Sequence, residues 1–209
     1  MTPAAIDAFS AVPPHLVIRD AFGADMASRL LAFALAQAEL FSETQVGNQK
    51  GRVAKQIRSS RVIGTLGALE GDLETKFRAL LPRATAALHL APFTLDSLSM
   101  ELAAHGDGDF YRRHIDTFVR GEMTGTDRVL TAVYYFHATP KPFTGGELRL
   151  HSLRPLDQGG SYIDIEPVHD SLLLFPAWAP HEVCPVSCPG GSFAQSRFAI
   201  NCWYNSRAH

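Results

Sequence analysis

From Leu95 onward the chain breaks into eight short apolar or alternating runs, each bounded by Gly, Pro or Asp. They cover Leu95–Ala104, Phe110–Ile115, Val129–Phe136, Glu147–His151, Ser161–Ile165, Ser171–Phe175, His181–Val186 and Arg197–Tyr204. Short strands with turn residues between them and no intervening helices predict a sandwich or jelly roll, not a βαβ sheet. The chain before them reads differently. His15–Arg19 is a short strand, and Ala24–Ala38 carries Met26, Leu30, Phe33 and Ala34 at helical spacing. A second helical zone covers Leu69–Leu90, with Pro82 expected to split it in two. Thr44–Ser60 is polar and Gly-interrupted, a loop or a hairpin. The expected fold class is α+β. Helices in residues 1–94 buttress a double-stranded β-helix (jelly-roll, cupin-like) in residues 95–209, together one domain.

Composition excludes several roles. At 209 residues and 46% hydrophobic, the chain can bury a substantial core. A net charge of −2 and a pI near 6.5 lack the basic excess of a nucleic-acid binder. Lys50, Arg52, Lys55, Arg58 and Arg61 form a local basic cluster, read as a solvated loop. No apolar run is long enough for a membrane span, and the N-terminus has no basic start or apolar signal region, so a cytoplasmic location is expected. Cys184, Cys188 and Cys202 are an odd set, expected to be reduced thiols. No second Cys/His pair accompanies Cys184 and Cys188, so no zinc site is expected there.

The chemistry starts from His114-x-Asp116 and a distant His181. Two imidazoles and one carboxylate can occupy one face of an octahedral ion and leave three positions open, the arrangement of non-haem Fe(II) oxygenases. Arg197 opens the apolar run Arg-Phe-Ala-Ile-Asn-Cys-Trp-Tyr. A guanidinium fixed in a β-core needs a carboxylate, and a dicarboxylate co-substrate would supply one. Residues two apart on a strand share a face. Thr131, Val133 and Tyr135 therefore form one face, and Arg197, Ala199, Asn201 and Trp203 another. The polar groups on these faces need partners, either each other or a ligand. Gly145-Gly146 precedes a strand and not a helix, which argues against a phosphate site. His15, His89, His105, His137, His151, His169 and His209 have no partner at ligand spacing and read as surface or satisfied core. No serine sits on a nucleophile elbow. The ligand spacing also differs from zinc peptidases, which place both His on one helix. A barrel that had lost catalysis would lack a triad member or the arginine, and neither is missing.

Six blocks in order carry a family likeness: Tyr111-Arg-Arg-His-Ile-Asp116, Arg128-Val-Leu-Thr-Ala-Val-Tyr-Tyr135, Gly145-Gly-Glu-Leu-Arg-Leu150, Asp164-Ile-Glu-Pro167, Pro180-His-Glu-Val183 and Arg197-Phe-Ala-Ile-Asn-Cys-Trp-Tyr204. Over about Leu98–Asn205 the chain resembles the Fe(II)- and 2-oxoglutarate-dependent prolyl 4-hydroxylase superfamily, above all the hypoxia-factor prolyl hydroxylases and their bacterial relatives. The resemblance implies a dioxygenase using Fe(II), 2-oxoglutarate and O₂, with ascorbate as a further candidate cofactor and a prolyl residue of a protein or peptide as substrate. The same chemistry on a free amino acid or other small molecule is the alternative. It implies that His114, Asp116 and His181 bind iron and that Arg197 meets the distal carboxylate of 2-oxoglutarate. Tyr135 and Thr131 would support that contact, and Leu148 would pack on the co-substrate. Arg128, Tyr111 and Trp203 match substrate-facing positions, and about Thr44–Arg61 matches a segment that closes over substrate. Two departures stand out. Ala104 takes the place of a tyrosine that helps hold 2-oxoglutarate in animal relatives. The connection from His181 to Arg197 is also longer, with Cys188-Pro-Gly-Gly-Ser-Phe expected as a turn that leaves Arg197 in place.

Overall fold

In the run Leu130–Phe136 odd and even positions meet different partners, and both sets are apolar enough to be buried. Val133 and Tyr135 face one cluster, with Leu148, Leu150, Ile165, Leu173, Phe175 and Ala199. Leu130, Ala132, Tyr134 and Phe136 face another, with Leu30, Leu73, Phe77 and Ala84 from the helices. A strand covered on both faces reads as a continuous apolar run. The sheet that contains it is therefore the middle of three layers.

A computed structural model describes residues 7–43, 54–117 and 126–207. Three α-helices are present among them: α1 (Ala24–Ala36), α2 (Ala54–Ile57) and α3 (Glu70–Ala87). The early strands are β1 (Leu16–Ile18), β2 (Ser42–Glu43), β3 (Arg58–Ser59) and β4 (Arg61–Ile63). Next come β5 (Leu95–His105), β6 (Phe110–His114), β7 (Thr126–Phe136), β8 (Thr144–Gly145) and β9 (Leu148–His151). The last are β10 (Tyr162–Ile165), β11 (Ser171–Pro176), β12 (His181–Val183), β13 (Val186–Ser187) and β14 (Arg197–Arg207). The major sheet runs β1-β11-β7-β14-β5-β4-β2 and the minor sheet β10-β9-β12-β6-β3, with β8 and β13 as a separate pair. Every pairing is antiparallel. All eight expected strands are present, and two facing antiparallel sheets backed by helices match the expected double-stranded β-helix. No helix is long and apolar enough to cross a membrane among the described residues.

Pro82 does not split the second helix, because α3 runs through it. A proline removes one backbone hydrogen bond and crowds the preceding turn. Here Leu73 and Phe77 are buried before it, and Ala84 and Leu88 after it, while Pro82 itself is exposed. Burial of each large apolar side chain contributes about 1.5–3 kcal/mol, enough together to offset the lost bond. The Tyr204 hydroxyl, from β14, donates to the Phe77 carbonyl at 2.7 Å and fixes α3 against the sheet. At the other end Asp170 accepts from the Phe22 and Gly23 amides at 3.0 Å each and from the Tyr134 hydroxyl at 2.7 Å. That carboxylate joins the chain entering α1 to the start of β11.

Most of the segment expected to cover substrate, residues 44–53, lies outside the described residues. Its remainder, 54–61, forms α2, β3 and the start of β4, with β3 as the edge strand of the minor sheet.

Candidate metal centre

β6 ends at His114 and β12 begins at His181, and these two residues are register partners across the ladder. The pairing sets two imidazoles side by side, with ring centroids 4.2 Å apart. Asp116 follows on the bend after β6, where the Asp116 and Thr117 amides both donate to the Ala177 carbonyl at 2.9 and 3.2 Å. That pair of bonds ties the bend to the turn preceding His181. The three ligand atoms lie within 4.8 Å of one another. His114 Nε2 and His181 Nε2 are each 3.7 Å from an oxygen of Asp116.

Second-layer contacts set the tautomers. His114 Nδ1 donates to the Arg112 carbonyl at 2.8 Å and His181 Nδ1 donates to the Ala179 carbonyl at 2.9 Å. A carbonyl can only accept, so each Nδ1 carries the proton and each Nε2 presents its lone pair toward Asp116. Burial, reinforced by neighbouring His181, pushes the His114 pKa down to about 3, so the ring is a neutral donor. Burial drives the Asp116 carboxyl upward, but His181, His114 and the Thr131 hydroxyl outweigh it. The net pKa is below the ordinary carboxylate value. Two neutral imidazoles and one carboxylate, preorganised around one point, fit a divalent first-row metal.

Thr131 was expected to support 2-oxoglutarate. Its hydroxyl instead donates to Asp116 Oδ2 at 2.7 Å and orients the carboxylate. Tyr111 stacks on His114 with centroids 3.6 Å apart and planes at 16°, while Phe175 meets His181 edge-on.

All the predicted site residues except Tyr135 line one cavity of roughly 200 Å³. At its closed end Arg197 is 1% exposed. Its Nε donates to the Gly146 carbonyl at 2.7 Å, and its guanidinium lies 4.9 Å from the Tyr135 ring behind the wall. Arg197 Nη2 and the Tyr135 hydroxyl have no hydrogen-bond partner, and no carboxylate pairs with Arg197 among the described residues. Burial lowers the Arg197 pKa and raises that of Tyr135 to about 12, which keeps the phenol a donor. Leu148 and Val133 supply the apolar wall. At the mouth the Arg128 guanidinium lies 3.9 Å over the Trp203 ring. The long connection before Arg197 folds as β13, a turn and a short 3-10 segment, Phe193–Gln195, closed by a Ser192/Gln195 capping box, and it leaves Arg197 on the barrel.

Three placements differ from the sequence reading. Ala104 faces the helix-side core, not the cavity, so it is not where a co-substrate contact is lost. His105, one residue on, lines the cavity, buried with both ring nitrogens unpartnered, and is not a satisfied core histidine. Arg58 is not a solvated loop cation. It crosses from β3 to Glu101 on β5 at 2.7 Å, with side chains 12% and 20% exposed, and Asn201 Nδ2 donates to the same oxygen at 3.1 Å. Only the odd-numbered face of β5 (Glu101, Ala103, His105) could have signalled these groups.

Residues 100–205 match the 2OG-Fe(II) oxygenase superfamily. The chain belongs to that superfamily. The family and the His–Asp–His triad together imply Fe(II) and 2-oxoglutarate as its cofactors. An uncharacterized PKHD-type hydroxylase from Synechocystis sp. is 34% identical over 160 residues, 74% of this chain and 52% of that protein. The chain thus spans about half the length of that relative. The oxygenase shares its fold with a Pseudomonas putida prolyl-4-hydroxylase (TM-score 0.70, 23% identity, 94% of each chain covered). It also shares it with a Trichoplax adhaerens prolyl hydroxylase in complex with a hypoxia inducible factor peptide fragment (TM-score 0.68, 24% identity, 92% and 84% covered).

Gly146 holds a further handle on the oxygenase. It has φ +72°, and a Cβ there would lie 2.7 Å from Arg197 Cδ. Gly146→Ala is therefore expected to push Arg197 aside. Stability should fall by about 1–3 kcal/mol, read by thermal melting, and the 2-oxoglutarate KM should rise about tenfold, the loss of roughly one charge-assisted bond.

Proposed function

We propose that this oxygenase hydroxylates a C–H bond of a prolyl residue in a protein or peptide, consuming O₂ and 2-oxoglutarate and releasing succinate and CO₂. The observation that carries the reading is the buried Arg197, without a counter-charge among the described residues, in the same cavity as the His–Asp–His set. A buried charge without a partner is costly, and a dicarboxylate anchored on the metal side would complete it. His114, Asp116 and His181 would hold the metal. Arg197, backed by the Tyr135 ring, would take the distal carboxylate, and Leu148 would pack on the carbon chain. When bound, Fe(II) with 2-oxoglutarate and O₂ supplies the oxidising chemistry. Thr131 keeps Asp116 aimed, and the apolar wall keeps bulk water from the reacting groups.

The cavity supports a substrate that enters from outside. Its roughly 200 Å³ is below the ~300–1,000 Å³ of typical small-molecule sites. With 2-oxoglutarate seated there, the target C–H must arrive at the mouth, where Tyr111, Arg128 and Trp203 stand. A polypeptide inserting one residue matches that shape. The likeness to prolyl hydroxylases, one of them holding a peptide, supports the same class.

The test begins with anaerobic addition of Fe(II) and then 2-oxoglutarate, followed by visible spectroscopy. A weak charge-transfer band that disappears on admitting O₂, with succinate formed, is expected. Proline-containing peptides should then gain one oxygen atom by mass spectrometry. Tight Zn²⁺ binding with no band would sink the oxygenase chemistry. Oxidation of free amino acids but no peptide would sink the substrate class alone.

A further inference from the structure

We infer that His105 is a second carboxylate-recognising group of this oxygenase, donating an N–H to the distal carboxylate beside Arg197 and setting co-substrate preference. The inference rests on the 2-oxoglutarate reading of Arg197 and adds a residue to it.

Register places His105 there. It ends β5 directly opposite Arg197 on β14, and cross-strand partners share a face. Both residues line the cavity, whereas Ala104, on the other face, packs against the helix-side core. The imidazole is 3% exposed, and neither nitrogen has a hydrogen-bond partner among the described residues. Buried polar groups are nearly always satisfied, so an unpartnered pair in a cavity points to a ligand. The chemistry of that ligand follows from the neighbours. Burial and the Arg197 and Arg58 cations hold His105 well below the ordinary histidine pKa, so the ring is neutral and keeps one N–H. A guanidinium has only donors, so neither cation can accept that proton. Arg58 is already paired with Glu101, so the missing acceptor falls to whatever occupies the cavity, and an anionic oxygen suits the His105 N–H and the Arg197 cation at once. Arg197 then supplies charge, while the His105 imidazole supplies a neutral donor. A site with two such groups committed to one carboxylate should discriminate sharply against a 2-oxo acid lacking it, because both would be left unpaired.

The experiment is anaerobic titration of 2-oxoglutarate, and of 2-oxopentanoate, which lacks the distal carboxylate, into the Fe(II)-loaded enzyme. Wild type, His105→Leu and His105→Gln would be compared, with Fe(II) affinity measured separately. His105→Leu should weaken 2-oxoglutarate binding about tenfold or more, leave Fe(II) affinity unchanged and shrink the preference over 2-oxopentanoate. His105→Gln, which keeps a donor, should recover most of the loss. Wild-type affinity in His105→Leu, or equal losses in the two variants, would overturn the donor role. If circular dichroism shows that His105→Leu does not fold, imidazole ¹⁵N resonances of Zn²⁺-loaded wild type decide. A shift of the His105 signals on adding 2-oxoglutarate supports the contact, and their constancy overturns it. Failure of wild type to bind 2-oxoglutarate at all would sink the reading of Arg197 itself, a separate result.

Discussion

Asp116→Ala will abolish iron binding and turnover while the barrel stays folded. Asp116 is the one anionic member of the ligand set, and both imidazole Nε2 atoms point at its oxygens from 3.7 Å. Without it two neutral nitrogens remain, and Fe(II) affinity should fall by well over the ~10–100-fold typical of losing an outer-shell partner. The fold should survive, because Asp116 holds its bend through its backbone amide to Ala177, which the substitution keeps. The Thr131 hydroxyl loses its acceptor at the wall of a cavity that water can enter, a cost of about 1 kcal/mol. Thr131→Val makes the graded comparison. It removes only the 2.7 Å bond that aims the carboxylate, so Fe(II) affinity should fall about 10–100-fold and turnover should recover at high Fe(II). Anaerobic metal titration with parallel far-ultraviolet circular dichroism reads both. An Asp116→Ala protein that still bound Fe(II) like wild type would mean that the triad is not the metal site.

How far the sequence could be read depended on how much pattern each element carried. β7 and β14, eleven residues each, repeat their alternation often enough to declare both faces. β2, β3, β8 and β13 are two residues long and carry no period at all. The metal ligands were legible because His114 and Asp116 are two apart and His181 opens a strand, so geometry followed from spacing. Arg58 was not legible, since its partner Glu101 is 43 residues away and only the sheet brings them together. Ala104 and His105 show a finer failure. A one-residue slip in matching β5 exchanges the face toward the helices for the face toward the cavity. Pro82 misled for the opposite reason, because a local rule lost to the packing of Phe77 and Ala84 around it.

Arg197→Met should separate stability from function in the opposite direction to most core substitutions. The guanidinium is 1% exposed and has one backbone bond, to Gly146, and one aromatic face, Tyr135. Those contacts contribute about 1–2 kcal/mol. Holding an ion in the interior without a counter-charge costs several kcal/mol, so the desolvation penalty wins. Methionine fills similar space without that penalty. The ligand-free variant should therefore melt at or above the wild-type temperature. Co-substrate binding should collapse, because a bidentate charge-assisted pair of about 3 kcal/mol corresponds to more than 100-fold in affinity. The two effects can be read in one pair of melting curves on the Fe(II)-loaded protein under anaerobic conditions. At a hundred times its Kd, 2-oxoglutarate should stabilise wild type by about 2.7 kcal/mol, or roughly 5–10 °C for a domain of this size. The same concentration should leave Arg197→Met unmoved. A variant that melted far below wild type would mean that the charge is compensated in the free protein. A variant still stabilised by 2-oxoglutarate would move the carboxylate site elsewhere in the cavity.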